Sequence, residues 1–192
     1  TLEYYNKNAD NFAKTTINVD FYETQNRFST LLPEHGYILD FGCGSGRDTK
    51  YFLEQGFYVD ATDGSEEMCH IASNYTGIQV RRLLFEELDE NKKYDGIWAC
   101  SSILHLPKNE LKAVFMKMFK ALKEDGIIYT SFKYGDFEGE RNGRYFTDFT
   151  EKTFEEFVEE IDNLQLKEEW ITGDVRPGRG EEKWLNVILQ KN

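Results

Sequence analysis

Three glycines at every second position, closing a short apolar run, constrain this chain more than any other feature. Tyr37-Ile38-Leu39-Asp40-Phe41 leads into Gly42-Cys43-Gly44-Ser45-Gly46, and Arg47-Asp48-Thr49-Lys50-Tyr51-Phe52-Leu53 continues with helical spacing. The pattern predicts a buried strand, a tight turn and a helix start. Glycine permits positive φ and lets a ligand approach with no Cβ in the way. Free N–H groups at a helix start favour an anionic ligand group. Seventeen residues after Gly46 (63 − 46), a second strand-like run, Tyr58-Val59-Asp60-Ala61-Thr62-Asp63, ends in a carboxylate. A carboxylate placed there can accept both hydroxyl hydrogens of a ribose. Together these features predict a nucleoside cofactor. The alternative is a bare turn joining strand to helix, but such turns rarely need three alternate glycines.

The glycine spacing narrows the nucleoside. The nicotinamide fingerprint is G-x-G-x-x-G, whereas here the third glycine comes one residue early. The strand also ends in Asp40, whose charge would repel a pyrophosphate and attract an ammonium. S-adenosylmethionine (SAM) carries ribose, adenine, a sulfonium and an amino-acid tail, so the pair Asp40 and Asp63 suits it better than a dinucleotide.

Length sets one domain, residues 1–192, with too little chain for a dinucleotide domain plus a separate substrate domain. Thirty-five acidic against 23 basic residues give a net charge of −12. That argues against a general nucleic-acid or anionic-membrane surface, which needs cationic patches. The three cysteines, Cys43, Cys69 and Cys100, form no C-x-x-C pair and show no metal spacing, so no metal is expected. With no apolar leader in the opening residues, they fit a reducing cytoplasm. No apolar run approaches the ~18 residues that span a bilayer.

Along the chain, residues 2–14 place Tyr5, Ala9, Phe12 and Ala13 on one helical face. They form either a packed surface helix or, with a second helix over about 19–32, a lid (residues 1–32) in which Tyr5 or Phe12 excludes water from the cofactor. A helix follows the glycine turn to about Gln55. Ser65 is a plausible N-cap for a helix to about Tyr75, and a third strand covers about Ile78–Leu84. Strands at Asp95–Cys100 and Ile127–Phe132 flank an amphipathic helix over Lys108–Leu122. The polar stretch 133–149 reads as a long connection, and such loops are often functional. A helix from Thr150 to about Ile161 precedes two strand-like runs, Leu164–Thr172 and Trp184–Gln190, joined by the loop 173–183. Strand–helix alternation through five units predicts a parallel α/β sheet with an antiparallel hairpin at its edge. Ligands in such sheets lie at the carboxyl ends of the strands.

These residues resemble the Rossmann-like, class I SAM-dependent methyltransferases. Leu39-Asp40-Phe41-Gly42-Cys43-Gly44-Ser45-Gly46-Arg47 is similar to that family's first motif. Asp63-Gly64-Ser65-Glu66-Glu67-Met68 is similar to its ribose motif, and Tyr94-Asp95-Gly96-Ile97 through Ser101-Ser102-Ile103-Leu104-His105-Leu106 to its fourth-strand motif. The likeness is nearest to small stand-alone members of the tellurite-resistance or small-molecule type. It implies a mainly parallel seven-stranded sheet with helices on both faces and a C-terminal antiparallel hairpin. It further implies that Gly42, Gly44 and Gly46 line the amino-acid tail and ribose, with Arg47 at the same turn. Asp40 would lie near the tail ammonium, directly or through water, and Asp63, with Gly64 and Ser65, at the ribose. Cys100 and Ser101 would hold the amino-acid end by backbone groups. For adenine, either Glu86 or the Phe85 backbone would serve; Met68 touches the base or packs in the core.

SAM's methyl is already activated, so the chain need mainly align a nucleophile and exclude water, with a base for some acceptors. His105 is the candidate base, its unperturbed pKa lying near working pH; a packed or capping histidine beside Pro107 is the other reading. Tyr134 and Tyr145 either position the acceptor or pack. Of eight arginines, Arg141, Arg144, Arg176 and Arg179 lie in the two late loops, 133–149 and 173–183. Guanidinium groups suit carboxylate or phosphate, which predicts a small anionic acceptor unless they pair with Glu138, Glu140, Asp174 and Glu181. Ala99-Cys100-Ser101-Ser102 stands where an N-P-P-Y tetrapeptide would mark amino-group methylation of adenine or glutamine, and no Pro-Cys nucleophile marks cytosine. A SAM-binding protein without catalysis, such as a partner subunit, is the rival reading. A nucleotide-dependent oxidoreductase fits neither the glycine spacing nor the length. Oligomeric state has no sequence signature.

Overall fold

Two helices open the chain: α1 (Leu2–Thr16) and α2 (Tyr22–Ser29). The computed structural model describes residues 1–192. α1 turns its small residues Ala9 and Ala13 inward. α2 is shorter than its apolar pattern predicts. It begins where the Asp20 carboxylate accepts the Tyr22 N–H at 3.0 Å, and it ends at Ser29, short of Pro33.

Apolar runs bounded by glycine and polar turns become the central strands. They are β1 (Tyr37–Phe41), β2 (Tyr58–Asp63), β3 (Arg81–Arg82), β4 (Tyr94–Ala99) and β5 (Leu122–Lys133). The connecting helices are α3 (Arg47–Glu54), α4 (Glu66–Thr76) and α5 (Lys108–Ala121). β1 pairs in parallel with β2 and β4, and β4 with β5. The third strand, expected over 78–84, shrinks to two residues, both exposed; it borders solvent, and nothing on its outer side rewards a longer ladder.

The connection 133–149 is not structureless. It contains β6 (Glu138–Arg141) and β7 (Arg144–Thr147), a separate two-stranded hairpin. Its turn is Asn142-Gly143, both at positive φ (51° and 75°), the dipeptide that suits a two-residue hairpin turn. α6 (Glu151–Glu159), capped by the Thr150 hydroxyl, leads to β8 (Leu164–Gly173) and β9 (Lys183–Lys191). β9 inserts antiparallel between β5 and β8, giving the order β3-β2-β1-β4-β5-β9-β8. The sheet is thus seven-stranded with the C-terminal antiparallel pair at one edge.

The larger apolar core lies on the α5–α6 face, around Phe115, Phe132, Phe149 and Phe154, all fully buried. The opposite face is aromatic, with Trp98 stacked on Tyr129 at 4.0 Å and flanked by Phe28 and Phe52. With both faces covered, the strand ends form one rim, where the chain leaves β1, β2, β4 and β5. No helix is long and apolar enough to cross a membrane.

Candidate active site

At the end of β1 the chain reverses through Gly42, Gly44 and Gly46, at φ 85°, 54° and 84°. The glycines serve different purposes. A Cβ on Gly42 would stand 2.5 Å from Ser102 Cβ, and one on Gly46 2.7 Å from Thr76 Cγ2 of α4, so these two allow loop and helix to close on the turn. A Cβ on Gly44 would meet only the Phe12 ring, at 3.4 Å; this residue faces a cavity of about 510 Å³. The turn's N–H groups are less open than the sequence suggests. Those of Gly42 and Cys43 both donate to the Thr62 carbonyl at 2.9 Å, and that of Gly44 donates to Asp63 Oδ2 at 2.9 Å.

Asp63 ends β2 and lines the cavity. Its other oxygen accepts the Ser65 N–H at 2.9 Å. Burial pushes its carboxyl above the usual range, against the pull of these backbone donors. Each oxygen keeps a lone pair for a hydroxyl donor. Gly64, Met68, Phe85, Glu86, Cys100 and Ser101 also line the cavity. Phe85 packs edge-on to Phe41 at 4.9 Å. Ser101 takes φ 51°, a strained value for a residue with a Cβ, and its N–H is held by Ser131 Oγ at 2.9 Å.

Asp40 is placed differently from the expectation. It does not line the cavity; it lies beneath the turn, 2% exposed, accepting from Thr49 Oγ1 at 2.5 Å. Burial and the neighbouring Asp48 charge push it up to about 8, so at neutral pH it is mainly a neutral acid with no charge to offer an ammonium. The carboxylate that does reach the cavity here is Asp48. Against the burial that would raise it, Arg47 (2.7 and 2.9 Å), Trp98 Nε1 (2.9 Å) and Gln25 Nε2 (2.7 Å) hold it low. Arg47 also lies over the Phe21 ring at 4.6 Å. Gly46 and Ser65 stand behind the cavity wall, Gly46 against α4 and Ser65 capping it through the Met68 N–H at 3.2 Å. Asp48 was hidden in sequence because nothing local marks an acid that a tryptophan fifty residues on will hold.

α1 roofs the rim. Leu2 packs on Gly64, Asn6 Oδ1 accepts from Ser65 Oγ at 2.6 Å, and Thr16 Oγ1 reaches Ser45 Oγ at 3.2 Å. Tyr5 comes down into the cavity and meets His105, ring to ring at 5.6 Å, with its Oη 2.9 Å from His105 Nε2. His105 Nδ1 lies 2.6 Å from the Tyr145 carbonyl oxygen. A carbonyl only accepts, so Nδ1 carries the hydrogen. Burial pushes the imidazole down to about 4, so the ring is neutral, Nε2 bears a lone pair and the Tyr5 hydroxyl donates to it. Both ring nitrogens are therefore engaged, and His105 is not a free base facing an acceptor. Tyr134 and Tyr145 also depart from their expected roles. The Tyr134 hydroxyl donates outward to Glu151 at 2.9 Å and that of Tyr145 to Glu138 at 3.2 Å; neither side chain lines the cavity. Tyr145 contributes its carbonyl instead.

All four late-loop arginines reach the cavity. Arg141 and Arg144 are direct cross-strand partners in the β6–β7 hairpin, which turns both to one face. Three of the four are neutralised. Arg141 pairs with Asp148 at 2.5 Å, Arg176 with Asp174 at 2.5 Å, and Arg179 with Glu182 at 3.7 Å. Of the expected acid partners only Asp174 is used. Arg144 has no carboxylate partner. Its guanidinium lies 4.5 Å over Tyr4 and 5.1 Å over Phe146, donates a long 3.5 Å bond to Tyr5 Oη, and leaves Nε buried and unpaired. Sequence reasoning missed Lys133, at the end of β5. Burial and the surrounding arginines lower it to about 8 despite Asp174. It also missed Trp184 and Asn186 of β9, which line the same cavity because alternate residues of that strand share a face. No three His, Cys, Asp or Glu side chains gather to hold a metal.

The cavity fits the expected cofactor on its own geometry. Its volume suits a ligand of that size, its floor at Gly44 is bare backbone, and Asp63 offers unfilled acceptor capacity where a ribose would lie.

Comparison with known proteins agrees with this architecture. Residues 38–126 match the family described as "Methyltransferase domain". The chain is 34% identical over 116 residues to "Putative methyltransferase YqeM" of Bacillus subtilis (strain 168), covering 55% of this chain and 47% of that protein. It thus spans about half the length of that relative. Among solved structures, it superposes with a TM-score of 0.77 on the 1,6-didemethyltoxoflavin-N1-methyltransferase of Burkholderia thailandensis, crystallised with 1,6-didemethyltoxoflavin and S-adenosylhomocysteine. That match has 24% identity and covers 99% of this chain and 84% of the other. A TehB-like SAM-dependent methyltransferase from Corynebacterium glutamicum gives a TM-score of 0.71 at 21% identity, over 99% and 97% of the two chains. With the glycine turn and the seven-stranded order in place, the chain has the Rossmann-like fold of the class I SAM-dependent methyltransferases, and its residues 38–126 match their domain family.

Proposed function

We propose that the domain methylates a small anionic acceptor, held by Arg144 beneath the roof formed by α1. When bound, SAM would supply a methyl group activated by its sulfonium, the carbon passing to the acceptor and the C–S electron pair staying on sulfur. The residues that would hold the cofactor are the Gly42–Gly46 turn, Asp63, Met68, Phe85 or Glu86, and the Cys100–Ser101 backbone. The single observation that supports an anion is Arg144. A guanidinium with a buried, unpaired Nε, set among aromatic faces and free of any carboxylate, is costly unless something negative joins it. The aromatic surroundings, Tyr4, Tyr5 and Phe146, suit a flat acid.

The test is methyl transfer from radiolabelled SAM to a panel of hydroxybenzoates, each paired with its neutral methyl ester. Turnover of the acids and not the esters is expected. Arg144→Gln should raise the acceptor KM about tenfold or more while the Kd for S-adenosylhomocysteine, read by calorimetry, stays unchanged. Equal turnover of esters and acids, or an unchanged KM in the variant, would remove the anionic acceptor.

A further inference from the structure

Resting on the methyl-transfer reading, we propose that Tyr5 of α1 is the residue that takes the acceptor's proton, with His105 behind it as the positioning residue that drains Tyr5's own proton. His105 presents no free nitrogen to the cavity: Nδ1–H is spent on the Tyr145 carbonyl at 2.6 Å and Nε2 on Tyr5 Oη at 2.9 Å. Tyr5 Oη is therefore the outermost atom of this chain of bonds. It donates its hydrogen inward and has lone pairs left to accept, with Arg144 Nη1 3.5 Å away. The orientation is fixed by the tautomer. Because the carbonyl holds Nδ1–H, Nε2 must be the acceptor, and Tyr5 must donate to it.

The step balances as two proton moves and nothing else. As the acceptor atom gains carbon, its O–H or N–H bond becomes strongly acidic and its proton passes to Tyr5 Oη. The original Tyr5 proton passes to His105 Nε2, leaving a neutral phenol and an imidazolium. That imidazolium returns its proton to solvent when α1 lifts. Arg144 serves both ends: it holds the acceptor's anion and lies near the oxygen that momentarily bears electron density. The residue that closes the roof is thus also the residue that relays the proton, so the relay exists only while α1 is docked. The Phe12 and Tyr4 rings pack edge-on to the Tyr5 ring at 5.2 and 5.5 Å, which holds the phenol in place with or without its hydroxyl.

The test uses the full chain and needs no acceptor for its first arm. Nitrogen-15 spectra of His105 should show the Nδ1–H tautomer, and Tyr5→Phe should move the Nε2 signal while leaving the Kd for S-adenosylhomocysteine unchanged. His105→Asn keeps a donor for the Tyr145 carbonyl and removes Nε2. With labelled SAM and the hydroxybenzoate panel, Tyr5→Phe and His105→Asn should each lower kcat on the order of 10²-fold with acceptor KM unchanged, and the double variant should be no slower. An Nε2–H tautomer, an Nε2 signal indifferent to Tyr5→Phe, or full kcat in that variant would overturn the relay. A wild-type chain that ignores S-adenosylhomocysteine would instead overturn the methyl-donor reading.

Discussion

Two aspartates that look equivalent in sequence differ in what surrounds them. Asp63 faces the cavity with spare lone pairs, while Asp40 is sealed under the turn by Thr49 and kept neutral by burial and by Asp48. Asp40→Asn should therefore leave the Kd for S-adenosylhomocysteine within about twofold, whereas Asp63→Asn should weaken it about tenfold or more, since tenfold corresponds to one lost hydrogen bond of about 1.4 kcal/mol. Calorimetry on the two variants decides it. Equal losses would return Asp40 to the cofactor. Asp40 also shapes pH dependence. Its folded value lies near 8 and its unfolded value near the ordinary 3.8, so across that window the native state binds more protons than the unfolded one. Its contribution to stability is full at low pH and declines as pH rises through 8; Asp40→Asn should flatten that decline. The identity of an aspartate at the strand end was plain from the residues. Its protonation was not, because that depends on a second carboxylate from the next helix and on how deeply both are covered.

At the scale of elements, the strands, α3, α4 and α5 were legible because their apolar spacing and their glycine and serine boundaries agree with one another. The β6–β7 hairpin was not read, although Asn142-Gly143 is the strongest short hairpin signal. Its first strand, Glu138-Gly139-Glu140-Arg141, has nothing apolar to alternate, so the stretch reads as a polar connection despite Tyr145 and Phe146 in the second. α1 was legible as an amphipathic helix, but its place was not: its partners are a serine on α4 and a histidine one hundred residues away. α1 has few buried residues, only Ala9 and Ala13, and it grips the rim by three polar contacts and the partly exposed faces of Leu2, Tyr5 and Phe12. It is therefore the element expected to open most readily. Hydrogen exchange over residues 5–13 should slow about tenfold or more when S-adenosylhomocysteine is added at saturating concentration. Unchanged exchange would mean that α1 does not close over the cofactor.

Across the whole molecule, a chain of net charge −12 turns Lys133, Arg141, Arg144, Arg176 and Arg179 to a single cavity, where each but Arg144 meets a carboxylate. On the proposed reading, that one uncompensated guanidinium draws the acceptor's anion while the acidic remainder repels it, an effect that salt weakens. The same burial that organises the site makes the fold sensitive to acid. Unfolded histidine titrates near 6.5, whereas His105 in the folded chain is pushed down by burial to about 4. Between these values the unfolded state takes up a proton that the native state refuses, so stability is full above about 6.5 and falls by ~3 kcal/mol as pH drops to 4. Calorimetric Tm values at pH 7, 5.5 and 4.5 should show this loss, and His105→Asn should remove it; an identical acid slope in the variant would place the loss elsewhere. Finally, the lone cation Arg144 sits on a small ribbon that shares no ladder with the main sheet. On the proposed reading, what chooses the acceptor is thus carried on a hairpin outside that sheet, and what would cradle the donor lies at the sheet's own strand ends. Rewriting residues 138–147 should then alter which acid is accepted while the coenzyme is held as before.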